Sequence, residues 1–307
     1  MKLPVFPNRK SLPNWIKVID LALSPDEYWV YYPWHKTAVN VSSEDLFFKF
    51  RTDRNRNLIT EEEQLKFRNC KVGIAGLSVG SAVLETLVAS GGPKVLKLAD
   101  PDKIELTNLN RMKATLLNVG QNKTFVASHR IWDIDPFAEI YIEEKGLKED
   151  NLGEFLAGDS KLDVFIDEMD DIKMKVLARL ACREHGIPVI MATDIGDRVL
   201  LDIERFDLNP ERNLFHGLSG LPLDEVGSMS KERWVQLATL IIGANNMPKR
   251  LSDSIAEVGK TLNGIPQLGS TAALAGAVVT YAVRQIACGG HELNSGRYVI
   301  NLENLIS

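Results

Sequence analysis

From about residue 70 to residue 205, short apolar runs alternate with stretches of helical spacing. Residues 71–75 form an apolar run that breaks into Gly76-Leu77-Ser78-Val79-Gly80-Ser81, as a buried strand does on entering a tight turn. Residues 82–90 then carry apolar side chains at helical spacing, and Gly91-Gly92-Pro93 stops them. Residues 95–99 read as a second buried strand ending on Asp100. The alternation continues with a helix over 124–132, a turn at Asp135-Pro136 and a strand over 139–143. Asp150 or Asn151 caps a short helix through Ala157, and a buried strand follows over 162–167. Residues 172–185 form an amphipathic helix stopped by Gly186, and further strands are expected over 188–192 and 199–206. This rhythm predicts an α/β fold: a Rossmann-like, mostly parallel sheet with helices on both faces.

The flanks are patterned differently. Residues 1–50 are expected to form a small N-terminal subdomain packed on the nucleotide fold. It would hold a short helix over 15–23, a turn or helix opening at Pro25 and Asp26, an aromatic run from Tyr28 to Trp34, and a strand over 37–41. That aromatic density also suits a substrate-recognition or dimer surface. Thr60 followed by Glu63 is a capping box, placing a helix start there and its end near Arg68. Residues 51–205 read as the nucleotide-binding domain. Residues 206–307 read as the C-terminal part of the same fold, with a substrate-side loop over 214–223, helices over 231–243 and 252–259, and a closing strand over 298–302. Residues 269–288 approach the length of a membrane span, but Arg284, Gln285 and the many small residues favour a tightly buried helix.

Charge and cysteine content narrow the class. A net charge of −5 over 307 residues leaves no polyanion-binding footprint, so neither DNA nor a membrane is an expected partner. The start of the chain shows no apolar leader. Cys70, Cys182 and Cys288 are widely spaced and odd in number, which points to a reducing cytoplasm.

Strand, glycine-rich turn, helix, strand and terminal acid together make a nucleotide-binding βαβ unit. The turn backbone and the helix N-terminus suit phosphates, and Asp100 suits a ribose hydroxyl. Serines at 78 and 81 stand where Gly-x-Gly-x-x-Gly would have glycines. Gly76-x-Ser78-x-Gly80 also matches the nucleophile elbow of an α/β-hydrolase, which would need a later acid and one of His129, His185, His216 or His291. An NAD(P)-dependent oxidoreductase would need only the turn and Asp100.

The downstream residues discriminate among these. Asp100 and Asp102 are followed by Thr107-Asn108-Leu109-Asn110-Arg111, by Gly120-Gln121-Asn122-Lys123, and by Asp170 beyond the apolar run 164–166. In this order they resemble the ThiF/MoeB-type, ubiquitin-activating-enzyme-like adenylyltransferase family. The resemblance implies activation of a carboxylate with ATP, giving an acyl-adenylate and pyrophosphate. It further implies that Gly76, Ser78 and Gly80 shape the phosphate turn and Asp100 holds the ribose. Asp102 would order its loop, Asn108, Arg111 and Lys123 would bind phosphates, and Asp170 would hold Mg²⁺. The chemistry agrees: two anions must meet, so a forked guanidinium, a compact ammonium and a carboxylate-held metal are the groups to supply.

Family members pair as homodimers in which an arginine of the segment before the first strand reaches the partner's ATP. Of Arg51, Arg54 and Arg56, Arg56 is the expected one. Cys182 and Cys288 sit in helical segments and read as buried structural thiols, and no Cys-x-x-Cys is present. Transfer to a nucleophile without a thioester step is therefore expected. The run from Arg51 to Arg56 and the Gly-Leu-Ser-Val-Gly turn resemble a bacterial branch associated with nitroreductase-like partners. The acyl substrate is left open among small acids, modified nucleosides and peptide C-termini. A non-catalytic nucleotide-binding scaffold is the reading that would survive a degenerate turn.

Overall fold

The computed structural model describes residues 1–6, 9–11, 17–21, 28–218, 231–243, 246–289 and 293–306. Its first element is a four-stranded sheet of β1 (Val5–Phe6), β2 (Lys17–Ile19), β3 (Tyr28–Tyr32) and β4 (Thr37–Val41), in the order β1-β3-β4-β2. The helix expected over 15–23 is corrected here. Residues 17–19 pair in parallel with Thr37–Val39, and Val18 packs on the buried Trp29 and Ala38. Cross-strand packing outweighs local helical spacing in so short a segment. The turn expected at Pro25 and Asp26 lies outside the described residues.

Helix α1 (Glu44–Arg51) runs across position 50 and leads into α2 (Glu61–Asn69). The α2 capping box is complete: the Thr60 hydroxyl accepts from the Glu63 amide at 3.2 Å, and the Glu63 carboxylate accepts from the Thr60 amide at 2.8 Å. Thr60→Ala should lower stability by about 1 kcal/mol. Urea denaturation checks this, and a midpoint unchanged from wild type would contradict it. Arg51 and Arg68 both grip the buried Asp135 and tie α1 and α2 to the sheet layer. Arg51 is thereby committed to the fold.

The main sheet has seven strands in the order β11-β10-β9-β8-β5-β6-β7. β5 (Lys71–Ala75), β6 (Val95–Ala99), β7 (Glu139–Glu143), β8 (Val164–Asp167) and β9 (Val189–Asp194) are mutually parallel. β10 (Arg198–Glu204) and β11 (Gly296–Asn301) extend one edge antiparallel. Connections between parallel strands require crossovers, and helices supply most of them: α3 (Gly80–Ala89), α4 (Lys123–Ile134), α5 (Leu152–Ala157) and α6 (Ile172–Glu184). Both faces are covered. Val72, Ile74, Leu96 and Leu98 meet α3 and α4 on one side, while Phe165 and Val189 meet α5 and α6 on the other.

α7 (Lys231–Ile242), α8 (Lys249–Ile255) and α9 (Gly269–Ala287) complete the fold. The helix expected over 252–259 starts earlier because Pro248 stands at its N-cap, and it ends at Ile255. Residues 214–217 of the expected loop form a 3₁₀ turn, with Phe215 and His216 at positive φ; positions 219–223 lie outside the described residues. The small residues of α9 have a packing cause. A Cβ on Gly276 would come within 2.8 Å of the Ala82 carbonyl oxygen, so α9 lies directly against α3. Among the described residues, no helix is long and apolar enough to cross a membrane.

Candidate functional site

In a parallel sheet the strand C-termini share one edge, and ligands settle where neighbouring crossovers leave in opposite directions. Gly76 follows β5, Asp100 follows β6, Asp170 lies just beyond β8, and Asp194 ends β9. The fold brings all four to that edge.

The turn after β5 is fixed from both sides. Gly76 has φ of +88°, and its amide bonds the Ala99 carbonyl at 2.9 Å. A Cβ there would fall 2.2 Å from the backbone oxygen of Glu168. Only glycine suits that conformation and that contact. The Leu77 amide donates to Asp100 Oδ2 at 2.6 Å, and Asp102 N donates to Oδ1 at 2.8 Å. Asp100 therefore clamps the turn to the tip of β6. Burial raises its carboxyl, with Lys123 and these amides pulling the other way. Helix α3 begins at Gly80 with no side-chain cap, the kind of N-terminus that suits an anionic acceptor.

Arg111 lies over this turn. Its Nε donates to Ser78 Oγ at 3.0 Å, and its Nη1 donates to the Thr107 carbonyl and to Asn110 Oδ1. Desolvation lowers the guanidinium, offset by Asp194 and Asp170. The Ser78 hydroxyl thus meets an arginine, and the hydrolase arrangement has no support at the elbow. Lys123, buried at the start of α4, donates to Asp102 Oδ2 at 2.8 Å and stands 3.7 Å from Asp100. Asp102 itself is 66% exposed. The Asn108 side-chain Oδ1 accepts from the Glu105 amide and closes the 3₁₀ turn 106–108. Asn108 therefore shapes the loop that carries Arg111.

Asp170 is exposed at the β8–α6 junction and acts electrostatically on Arg111. Among the described residues, no three His, Cys, Asp or Glu side chains gather to hold a metal. Mg²⁺ does not require three: one or two carboxylates plus phosphate oxygens suffice. The exposed Asp170, on the same edge as Arg111, fits that mode. Arg56 stands apart, 73% exposed and paired with Asp53 at 3.1 Å. Arg54 is exposed too. Cys182 is fully buried and its thiol is pushed well up by desolvation, as expected. Cys288 differs from expectation: it is half-buried, with Sγ 3.6 Å from the Glu63 carbonyl.

Two groups at this edge have no counterpart in the residues picked from the sequence. Glu168 accepts from the Ala192 amide at 2.9 Å, and desolvation raises its carboxyl well above the usual range. Asp194 is 9% exposed, and neither of its oxygens has a hydrogen-bond partner. Burial pushes it up to about 7, with Arg111 acting in the opposite direction. The signal for Asp194 was present: an acid at the C-terminus of a buried strand, the placement that singled out Asp100.

Comparison with known proteins agrees with the fold. The ThiF family model matches residues 52–197, from the segment before α2 through the turn after β9. That match to the ThiF family takes in just under half of the chain. An uncharacterized protein of Mycobacterium tuberculosis (strain CDC 1551 / Oshkosh) is 40% identical over 275 residues, covering 89% of this chain and 38% of that protein. The tRNA threonylcarbamoyladenosine dehydratase of Bacillus subtilis (strain 168) is 32% identical over 157 residues, 50% of this chain and 60% of the enzyme. The chain thus spans less than two thirds of the length of these relatives. The crystal structure of E. coli MccB with ATP shares the fold at a TM-score of 0.51 and 18% identity, covering 78% of this chain and 66% of that one. The matched residues include Arg111, Lys123 and Asp170.

Proposed function

We propose that this protein activates a carboxylate with ATP, forming an acyl-adenylate and releasing pyrophosphate. The observation that carries the reading is the convergence of Arg111, an uncapped α3 N-terminus and Asp170 on one sheet edge of the region matching the ThiF family. An oxidoreductase would leave both Arg111 and Asp170 without a task. MccB, which shares the fold, has been crystallised with ATP.

In this reading the amides of the Gly76–Gly80 turn and the Arg111 guanidinium hold the triphosphate, and Asp100 with Asp102 receives the ribose. Lys123, held against Asp102 at 2.8 Å, swings to the α-phosphate as charge builds there. Mg²⁺ held by Asp170 would neutralise the departing pyrophosphate. The substrate carboxylate attacks the α-phosphorus, a new P–O bond forms, and the bond to the β-phosphate breaks. The buried Cys182 and the peripheral Cys288 favour transfer of the acyl group straight to a nucleophile. Arg54 or Arg56 of a second copy would complete each site in a homodimer, Arg56 being preferred. Three unlinked cysteines suit a reducing cytoplasm. A nitroreductase-like partner fits the branch that the Arg51–Arg56 segment resembles.

The test is a thermal shift with Mg·ATP and, separately, with NADH. Mg·ATP at about 100 times its dissociation constant should stabilise the fold by about 2.7 kcal/mol. Asp170→Ala should keep the fold and abolish turnover. Normal turnover in that variant removes Asp170 from the mechanism, and stabilisation by NADH alone overturns the proposal.

A further inference from the structure

Asp194 is the group at this edge that the adenylation chemistry leaves without a role. It ends β9 on the same sheet face as Ile190 and Ala192, the face covered by α3 and α9. Neither carboxylate oxygen has a hydrogen-bond partner, and only 9% of the residue is exposed. A buried carboxylate without donors is costly, and the cost is tolerated where something outside the chain supplies the donor. Arg111 does not supply it. The guanidinium bonds run to Ser78, Thr107 and Asn110, and its influence on Asp194 is through charge alone.

Strand order says which part of a ligand Asp194 meets. Along the edge the sequence is β9, β8, β5, β6. The ribose acid Asp100 is at β6 and the phosphate turn at β5, so Asp194 lies two strands beyond the turn, away from the ribose. Neighbouring strands are spaced by about 4.8 Å, which puts β9 about 14 Å from β6 and outside reach of the nucleoside. Pyrophosphate is also excluded, since an anionic leaving group does not settle against a carboxylate. The remaining component is the acyl substrate. Asp194 and Asp170 there both act electrostatically on Arg111, and Glu168, whose carboxyl desolvation raises while Lys175 opposes it, lies on the same edge.

We propose that Asp194 is a specificity-determining residue that pairs with an ammonium group on the carboxylate substrate, so that the protein activates an amino acid or another amine-bearing acid. This rests on the adenylation reading. With the substrate carboxylate at the α-phosphate, Asp194 would meet the ammonium end of the same molecule. Ammonium binding supplies the missing donors and discriminates strongly against a substrate lacking them, because the orphaned carboxylate is then left buried.

The test uses non-hydrolysable acyl-adenylate mimics, which report binding without turnover. Glycyl-, β-alanyl- and 4-aminobutyryl-sulfamoyl adenosine are compared by calorimetry with acetyl-, propionyl- and butyryl-sulfamoyl adenosine, with no divalent metal added. At least one amine-bearing mimic should bind tenfold or more tighter than its matched partner, and Asp194→Asn should bring that ratio near one. Equal binding within all three pairs, or a preference that persists in Asp194→Asn, overturns the assignment of Asp194. Binding of none of the six overturns the adenylation reading and this inference with it. The wild-type contrast stands even if the variant fails to fold, which its melting curve would reveal.

Discussion

Arg179→Ala is expected to destabilise the domain by about 3–5 kcal/mol, the cost of leaving buried charges uncompensated. Arg179 is fully buried on α6. Its Nη1 pairs with Asp167, its Nε donates to Glu204 at 2.5 Å, and its guanidinium lies 4.0 Å from the Phe215 ring centre. Removing it leaves, among the described residues, Glu204 with the Phe215 amide at 2.7 Å, and Asp167 with Lys175 at 3.1 Å and the Met169 amide. Glu168 and Met169, which directly follow Asp167, carry the backbone that packs against Gly76. The loss should therefore reach the phosphate turn as well as the core. Urea denaturation gives the result directly: a lowered midpoint at unchanged slope is expected, and a loss under about 1 kcal/mol would contradict it.

Arg111→Ala should leave stability nearly unchanged and lower adenylation turnover by about 10²–10³-fold, the typical effect of removing one preorganised charge donor. Its exposed contacts, the Thr107 carbonyl and Asn110 side chain, lie in the same short loop, so little of the fold depends on them. Arg111→Lys should recover only part of the loss, since an ammonium cannot reproduce the fork that reaches Ser78 and a phosphate together. Steady-state turnover in all three proteins checks this, and an alanine variant within threefold of wild type would remove Arg111 from catalysis.

The parallel core was legible in the sequence because β5, β8 and β9 are buried on both faces and read as near-continuous apolar runs. Residues 139–143 and 95–99 come out with the expected bounds. The glycine turn was legible because its φ of +88° and its contact with Glu168 exclude any side chain at Gly76. The N-terminal sheet was not. Lys17–Ile19 is three residues long, and only its ladder with Thr37–Val39 makes it a strand. The same limit applies to charge: Asp194 and Asp170 look alike as strand-end acids, and only burial separates the enclosed one from the exposed one. Arg51 looked equivalent to Arg54 and Arg56 until its bonds to Asp135 and the Val88 carbonyl placed it in the fold.

Carboxylate-dependent exchange of labelled pyrophosphate into ATP tests the central claim most directly. Wild-type protein with Mg·ATP should catalyse exchange only when a suitable carboxylate is present, and Arg111→Ala should lose it. Wild-type protein that binds Mg·ATP yet exchanges no pyrophosphate with amino acids, fatty acids or peptide C-termini would contradict adenylation and leave a nucleotide-binding scaffold.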